Sequence, residues 1–130
     1  MANRILTEEG WQGRIRNLLG IDSAFLPDTD LEAIEIISIA EANIIEIVPG
    51  YADLTGDKKT YLESATACEC AVLACDSMPA RLPTKESGPH ATYELSIDWA
   101  KKKAELQDKR DVYLSKLITM PKMKYFTTSG

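Results

Sequence analysis

"LEAIEIISIAEANIIEIV", residues Leu31–Val48, decides the fold, because its isoleucines suit a strand by propensity while its length suits a helix. Eighteen residues exceed an ordinary strand, and Pro49-Gly50 stops the run sharply. The stretch is therefore read as a helix, opened by a capping box of Thr29 with Glu32 three residues on. At about 100° per residue, Ile34, Ile36, Ile37, Ala40, Ile44, Ile45, Ile47 and Val48 share a broad face, with Glu32, Glu35, Ser38, Asn43 and Glu46 opposite. Ile39 falls among the acidic positions and Glu41 among the apolar ones. This exchange fits either contacts with a partner subunit or one exposed Ile beside a Glu at the core edge.

Working outward, three more helices follow from the same periodicity. Thr7 can cap a first helix with Leu6 and Trp11 as its hydrophobic staple; Trp11, Ile15, Leu18 and Leu19 then share a face until Gly20. Asp57 can cap a third that runs to Pro79, with Tyr61, Ala65, Cys68, Val72 and Cys75 in one row and small residues beside them that admit a close neighbour. The last, roughly 96–118, carries Trp99, Leu106, Tyr113, Leu114 and Leu117 on a narrow stripe; Asp98 with Lys102, Lys101 with Glu105 and Glu105 with Lys109 support its exposed sides. The sequence thus predicts a single all-α domain over residues 1–130, a small bundle of about four helices with a long loop (79–95) before the last helix and an extended C-terminal tail (118–130). A short extended piece, "YELSID", can precede the last helix.

The totals exclude several classes of function. At 130 residues, 45% hydrophobic and 27% charged, the chain can bury a core of its own. A net charge of −5 opposes tight binding to a phosphate backbone. No stretch approaches the roughly 20 apolar residues of a membrane span, and "MANRILTEEG" has no signal-peptide core, so the expectation is a protein made in the cytoplasm. Three closely spaced cysteines fit free thiols better than a disulfide framework.

Candidate chemistry is sparse. Cys68 and Cys70 point about 200° apart on a helix, which argues against a shared metal ion. His90 is the single histidine and lies in the loop; "LTGDKKT" lacks the glycine spacing of a phosphate loop. No catalytic residue, metal ligand or cofactor is assigned, and the expectation is a protein that is not an enzyme.

The order of elements, together with "DTDLEAIEIISIAEANIIEIVPGYADLTGD" (Asp28–Asp57), "YLESATACECAVLACDSMPARLP" (Tyr61–Pro83) and "YELSIDWAKKKAELQDKRDVYLSKL" (Tyr93–Leu117), resembles the head–tail connector, or adaptor, proteins of tailed bacteriophages. The resemblance implies a structural virion protein of the neck: a head-to-tail ring of about twelve copies under the portal protein, with a stopper or tail-completion protein below, its channel passing DNA without specific binding. It further implies that the loop from Pro79 to Thr92, with Arg81, Lys85, Glu86 and His90, faces the channel or a neighbour. The tail, with Met120, Lys122, Met123, Lys124, Tyr125 and Phe126, would reach the portal. An acidic channel wall would let DNA slide. A small helical regulatory module, binding a soluble partner through the Ile39 side of the second helix, is the alternative.

Overall fold

Around the middle of one helix every direction is inward. In the computed structural model, which describes residues 3–81 and 98–118, helix α4 (Gly56–Cys75) buries every residue from Ala65 to Val72, as well as Leu62, Ala74 and Cys75. Its side chains there are mostly Ala, Cys and Thr, small enough for neighbours to close in on several sides. Thr66 satisfies its own hydroxyl on the Leu62 carbonyl (2.8 Å), so its burial costs little. This explains why Cys68 and Cys70 are both buried although they point apart: the helix has no solvent face at that level.

The neighbours are α1 (Trp11–Leu19), α3 (Ile39–Ile47) and α6 (Trp99–Ser115), with two single-turn helices, α2 (Asp28–Leu31) and α5 (Met78–Arg81). No strand occurs among the described residues. The molecule is a small all-α fold whose four long helices are those expected. Helices α4 and α6 form an antiparallel pair. Lys103 reaches Asp76 at 3.0 Å and Arg110 reaches Glu69 at 2.7 Å, seven residues forward on one helix and seven back on the other. Further along the pair, Tyr61 stacks on Tyr113 with ring centres 6.3 Å apart, and the Lys116 ammonium sits 5.5 Å from the Tyr61 ring centre. Two of the ion pairs α6 makes thus cross to α4, while Arg110 also pairs with Asp111 on its own helix. Helix α3 is also antiparallel to α4, since Ile37 shares a core cluster with Cys75 while Val48 shares another with Leu62.

Helix boundaries depart from the sequence reading where tertiary contacts pull harder than local caps. The first helix begins at Trp11 behind Gly10 (φ 90°), not at Thr7. Leu6 is already buried, so the chain needs Thr7–Gly10 to turn; Leu6 and Trp11 still meet in one cluster as a staple does. Gly20 (φ 74°) ends α1 and donates its N–H to the Arg16 carbonyl at 2.8 Å, as read. Asp98 caps α6 by accepting from the Lys101 N–H at 3.1 Å. Neither Thr29 nor Asp57 caps a helix with its side chain: Thr29 lies inside α2, and Asp57 sits in the first turn of α4 behind Thr55.

The long isoleucine run is helical but not uniformly α. Its chain breaks at Ala33 (ψ 153°), passes through a π-turn (Ile34–Ser38) and only then continues as α3. A π-turn holds an extra residue, which rotates the residues before it relative to those after it. Ile34, expected on the buried face, is therefore 63% exposed. Pro79 does not terminate structure either; it occupies an early position of α5, where a missing N–H goes unneeded. The loop therefore does not begin at Pro79. The remainder of it, the "YELSI" piece and the tail beyond Ile118 lie outside the described residues.

Because α4 is enclosed on all sides from Ala65 to Val72, a larger side chain at Ala71 has nowhere to go. Ala71→Leu should destabilise the protein by about 1–3 kcal/mol in urea titration, whereas Ala104→Leu on the exposed side of α6 should change stability by less than about 0.5 kcal/mol.

Candidate functional site

Charged groups buried in this body serve structure. Glu41, 2% exposed, lies on the inner side of α3, and its carboxylate accepts the backbone N–H groups of Arg4 (2.9 and 3.0 Å), Ile5 (2.6 Å) and Leu6 (3.1 Å). The Arg4 guanidinium adds an ion pair at 3.7 Å and donates to the Ser38 carbonyl at 3.3 Å. Three amides that no helix or sheet could satisfy converge on one anion, and Ile5 and Leu6 are carried into the core beside it. Glu41 sits among apolar positions for this internal reason, so its side chain does not face a surface where a partner subunit could touch it.

Glu69, 6% exposed, is the second buried carboxylate. It accepts from Arg110 on α6 at 2.7 Å and from Asn43 on α3 at 2.8 Å, tying both neighbours to α4 at one level. Arg110 also pairs with Asp111 at 3.0 Å. Burial opposes its charge, but these carboxylates more than offset that and its pKa is raised. A buried pair left with one member would be strongly destabilising.

The thiols are chemically quiet. Burial pushes Cys68 and Cys75 up to about 11 and raises Cys70 as well, where Glu41 and Glu69 add repulsion. A thiol held neutral at physiological pH is a poor nucleophile. Among the described residues no three His, Cys, Asp or Glu side chains are placed to hold a metal ion. A cleft of about 590 Å³ beside the start of α1 is lined by Leu6, Glu8, Glu9, Trp11 and Glu32 among others, with Gln12 donating to Glu32 at 2.8 Å. Its carboxylates are grouped without a histidine or cysteine to act on.

What reaches solvent on α3 is the upper end of a row that is half-buried at Asn43 and Ile47 and exposed at Ile39. Asn43 lies on the edge of α3 that is tied to Glu69 of α4, the carboxylate that also holds Arg110 of α6. Ile39 and Ile47 lie one turn before and after it and share that edge. Ile39 is 42% exposed, in accord with its odd place in the sequence pattern. Ile34, five residues earlier across the π-turn, extends the exposed apolar surface, and Glu35, Ala42 and Glu46 are exposed on the same helix. Val112 on α6 is also exposed. The sequence reading missed Ile34, because nothing in the periodicity announces a π-turn, and missed the Asn43–Glu69–Arg110 tie, because it joins three distant segments.

The antiparallel pair also fixes where the remaining chain attaches. Residue 81 and residue 98 belong to one end of the body, near Asp76 and Lys103; Ile118 belongs to the other, packed against the cluster of Ile44, Val48, Leu62 and Leu114. Twenty helical residues of α4 separate the two ends by about 30 Å. Arg81 is the last residue of α5. Lys85, Glu86 and His90 in the loop and Met120, Lys122, Met123, Lys124, Tyr125 and Phe126 in the tail lie outside the described residues. No helix among the described residues is long and apolar enough to cross a membrane.

No family model, curated protein or solved structure matches this chain.

Removing the Glu41 carboxylate leaves three buried or half-buried amides without an acceptor, at about 1–3 kcal/mol for each that water cannot reach. Glu41→Ala should lower stability by about 2–4 kcal/mol in urea titration, and Glu41→Gln, which keeps one acceptor oxygen, should lose less. Equal stability of Glu41→Ala and wild type would remove the anchoring role.

Proposed function

We propose that this chain is a non-enzymatic assembly protein, a head–tail connector of a tailed-phage particle that forms a ring under the portal. The observation that supports this reading is the placement of the two long segments at opposite ends of a single helical pair. A ring subunit must engage different neighbours above and below. Here the tail leaves one end of the body and the 82–97 connection bridges the other, about 30 Å away. The buried polar groups support it too, since Glu41 and Glu69 are consumed in holding the body together and the thiols are unreactive.

In this reading the tail residues Met120, Met123, Tyr125 and Phe126 anchor on the portal, with Lys122 and Lys124 at the rim of that contact. Arg81, Lys85, Glu86 and His90 face the channel or the adjacent subunit, and the protein resides in the virion neck above a stopper or tail-completion protein. Exposed Ile34 and Ile39 favour a second reading, a regulatory module that docks a soluble partner on α3.

Native mass spectrometry of the chain mixed with the portal protein of the same particle separates the two. The connector reading predicts one discrete complex of cyclic stoichiometry, lost or weakened at least tenfold by Tyr125→Ala with Phe126→Ala. A stable small oligomer by itself, indifferent to the portal protein and to the tail substitutions, would contradict it and favour the regulatory module.

A further inference from the structure

From Asp28 to Asp57 the chain contains eight acidic side chains (Asp28, Asp30, Glu32, Glu35, Glu41, Glu46, Asp53, Asp57) and no Lys, Arg or His. From Val112 to the end the charged side chains are Lys116, Lys122 and Lys124, with no Asp or Glu. One end of this cationic stretch is fixed by the fold. Ile118 and Leu117 pack against the same cluster as Ile47 at the foot of α3. From half-buried Ile47 the row climbs through half-buried Asn43 to exposed Ile39, about 12 Å along the helix for eight residues, and on to exposed Ile34.

We propose that the C-terminal segment Met120–Phe126 of the same chain docks along this row, running up α3 from its foot with its apolar side chains on Ile39 and Ile34 and its lysines toward Glu46 and Glu35. Reach permits it, since five extended residues beyond Ile118 span about 17 Å. Charge complementarity selects it: Glu35 and Glu46 are exposed, α3 offers no cation, and the Arg110 charge bordering the row is already answered by Glu69 and Asp111. The segment carries Met, Tyr and Phe to cover the isoleucines and two lysines to meet the carboxylates. Tethering at Ile118 gives it an effective concentration that a free partner lacks. The proposal concerns the free chain and stands without the connector reading; if both hold, the docked tail is the unassembled state and must be displaced for the portal contact to form.

Zero-length carbodiimide cross-linking of the full chain tests it, using an equal mixture of isotopically light and heavy protein so that links within one chain are distinguished from links between chains. The expected result is unmixed links from Lys122 or Lys124 to Glu46 or Glu35, reduced at least fivefold by Ile39→Asp, a change at an exposed position that leaves the fold intact by circular dichroism. Mixed-label links between the same residues would overturn the proposal in favour of a second copy as the occupant. Links from Lys122 and Lys124 spread equally over Glu8, Glu9 and Glu63, or links to α3 that persist undiminished in Ile39→Asp, would overturn it outright.

Discussion

Burial of the middle of α4, from Ala65 to Val72, on every side is the constraint on which the rest of this protein depends. A helix can be surrounded only if its side chains are small or their polar atoms are satisfied, and "ESATACECAVLAC" meets both conditions. Alanines and cysteines let α1, α3 and α6 approach; Thr66 bonds its own helix, and Glu69 takes a donor from each of two neighbours. Once α4 is enclosed, the directions of α3 and α6 follow, both antiparallel to it and therefore parallel to each other. That shared direction brings the foot of α3 and the end of α6 to one core cluster, against which Ile47 and Ile118 both pack.

Two buried carboxylates carry out different parts of the same task. Glu69 joins helix to helix, whereas Glu41 joins a segment without regular structure to a helix by acting as the acceptor for three consecutive amides. An apolar residue at position 41 would leave those amides facing the core unpaired, and a shorter acid would not reach them. The N-terminal segment then brings Ile5 and Leu6 to the helices, bridging the two core clusters along α4. Local sequence preference for a helix from Thr7 yields to this, and α1 starts only after Gly10.

Much of the fold was legible because its signals are local. Four helices were readable from periodicity, and Gly20 from the glycine that a left-handed cap prefers. The odd placement of Ile39 signalled exposure correctly. Glu41 was visible as an anomaly, but its explanation lies 35 or more residues away in backbone amides, which leave no mark in a pattern of side chains. The π-turn was hidden for a related reason: an extra residue in one turn changes which isoleucines face inward without changing composition. At the candidate site, Ile39 was singled out by pattern, while Ile34 was hidden by the π-turn, Asn43 by its bond to distant Glu69, and the opposed attachment of loop and tail by the packing of α4 against α6.

A rigid spine that holds two attachment ends apart is the central claim, and native-state hydrogen exchange of α4 tests it most directly. Amides from Ala65 to Val72 should exchange only through global unfolding, with a free energy equal to that from urea titration and the same denaturant dependence. Exchange through smaller openings at those amides, faster than global unfolding allows, would show that the helix is not enclosed as described and that the two ends are not held at a fixed separation.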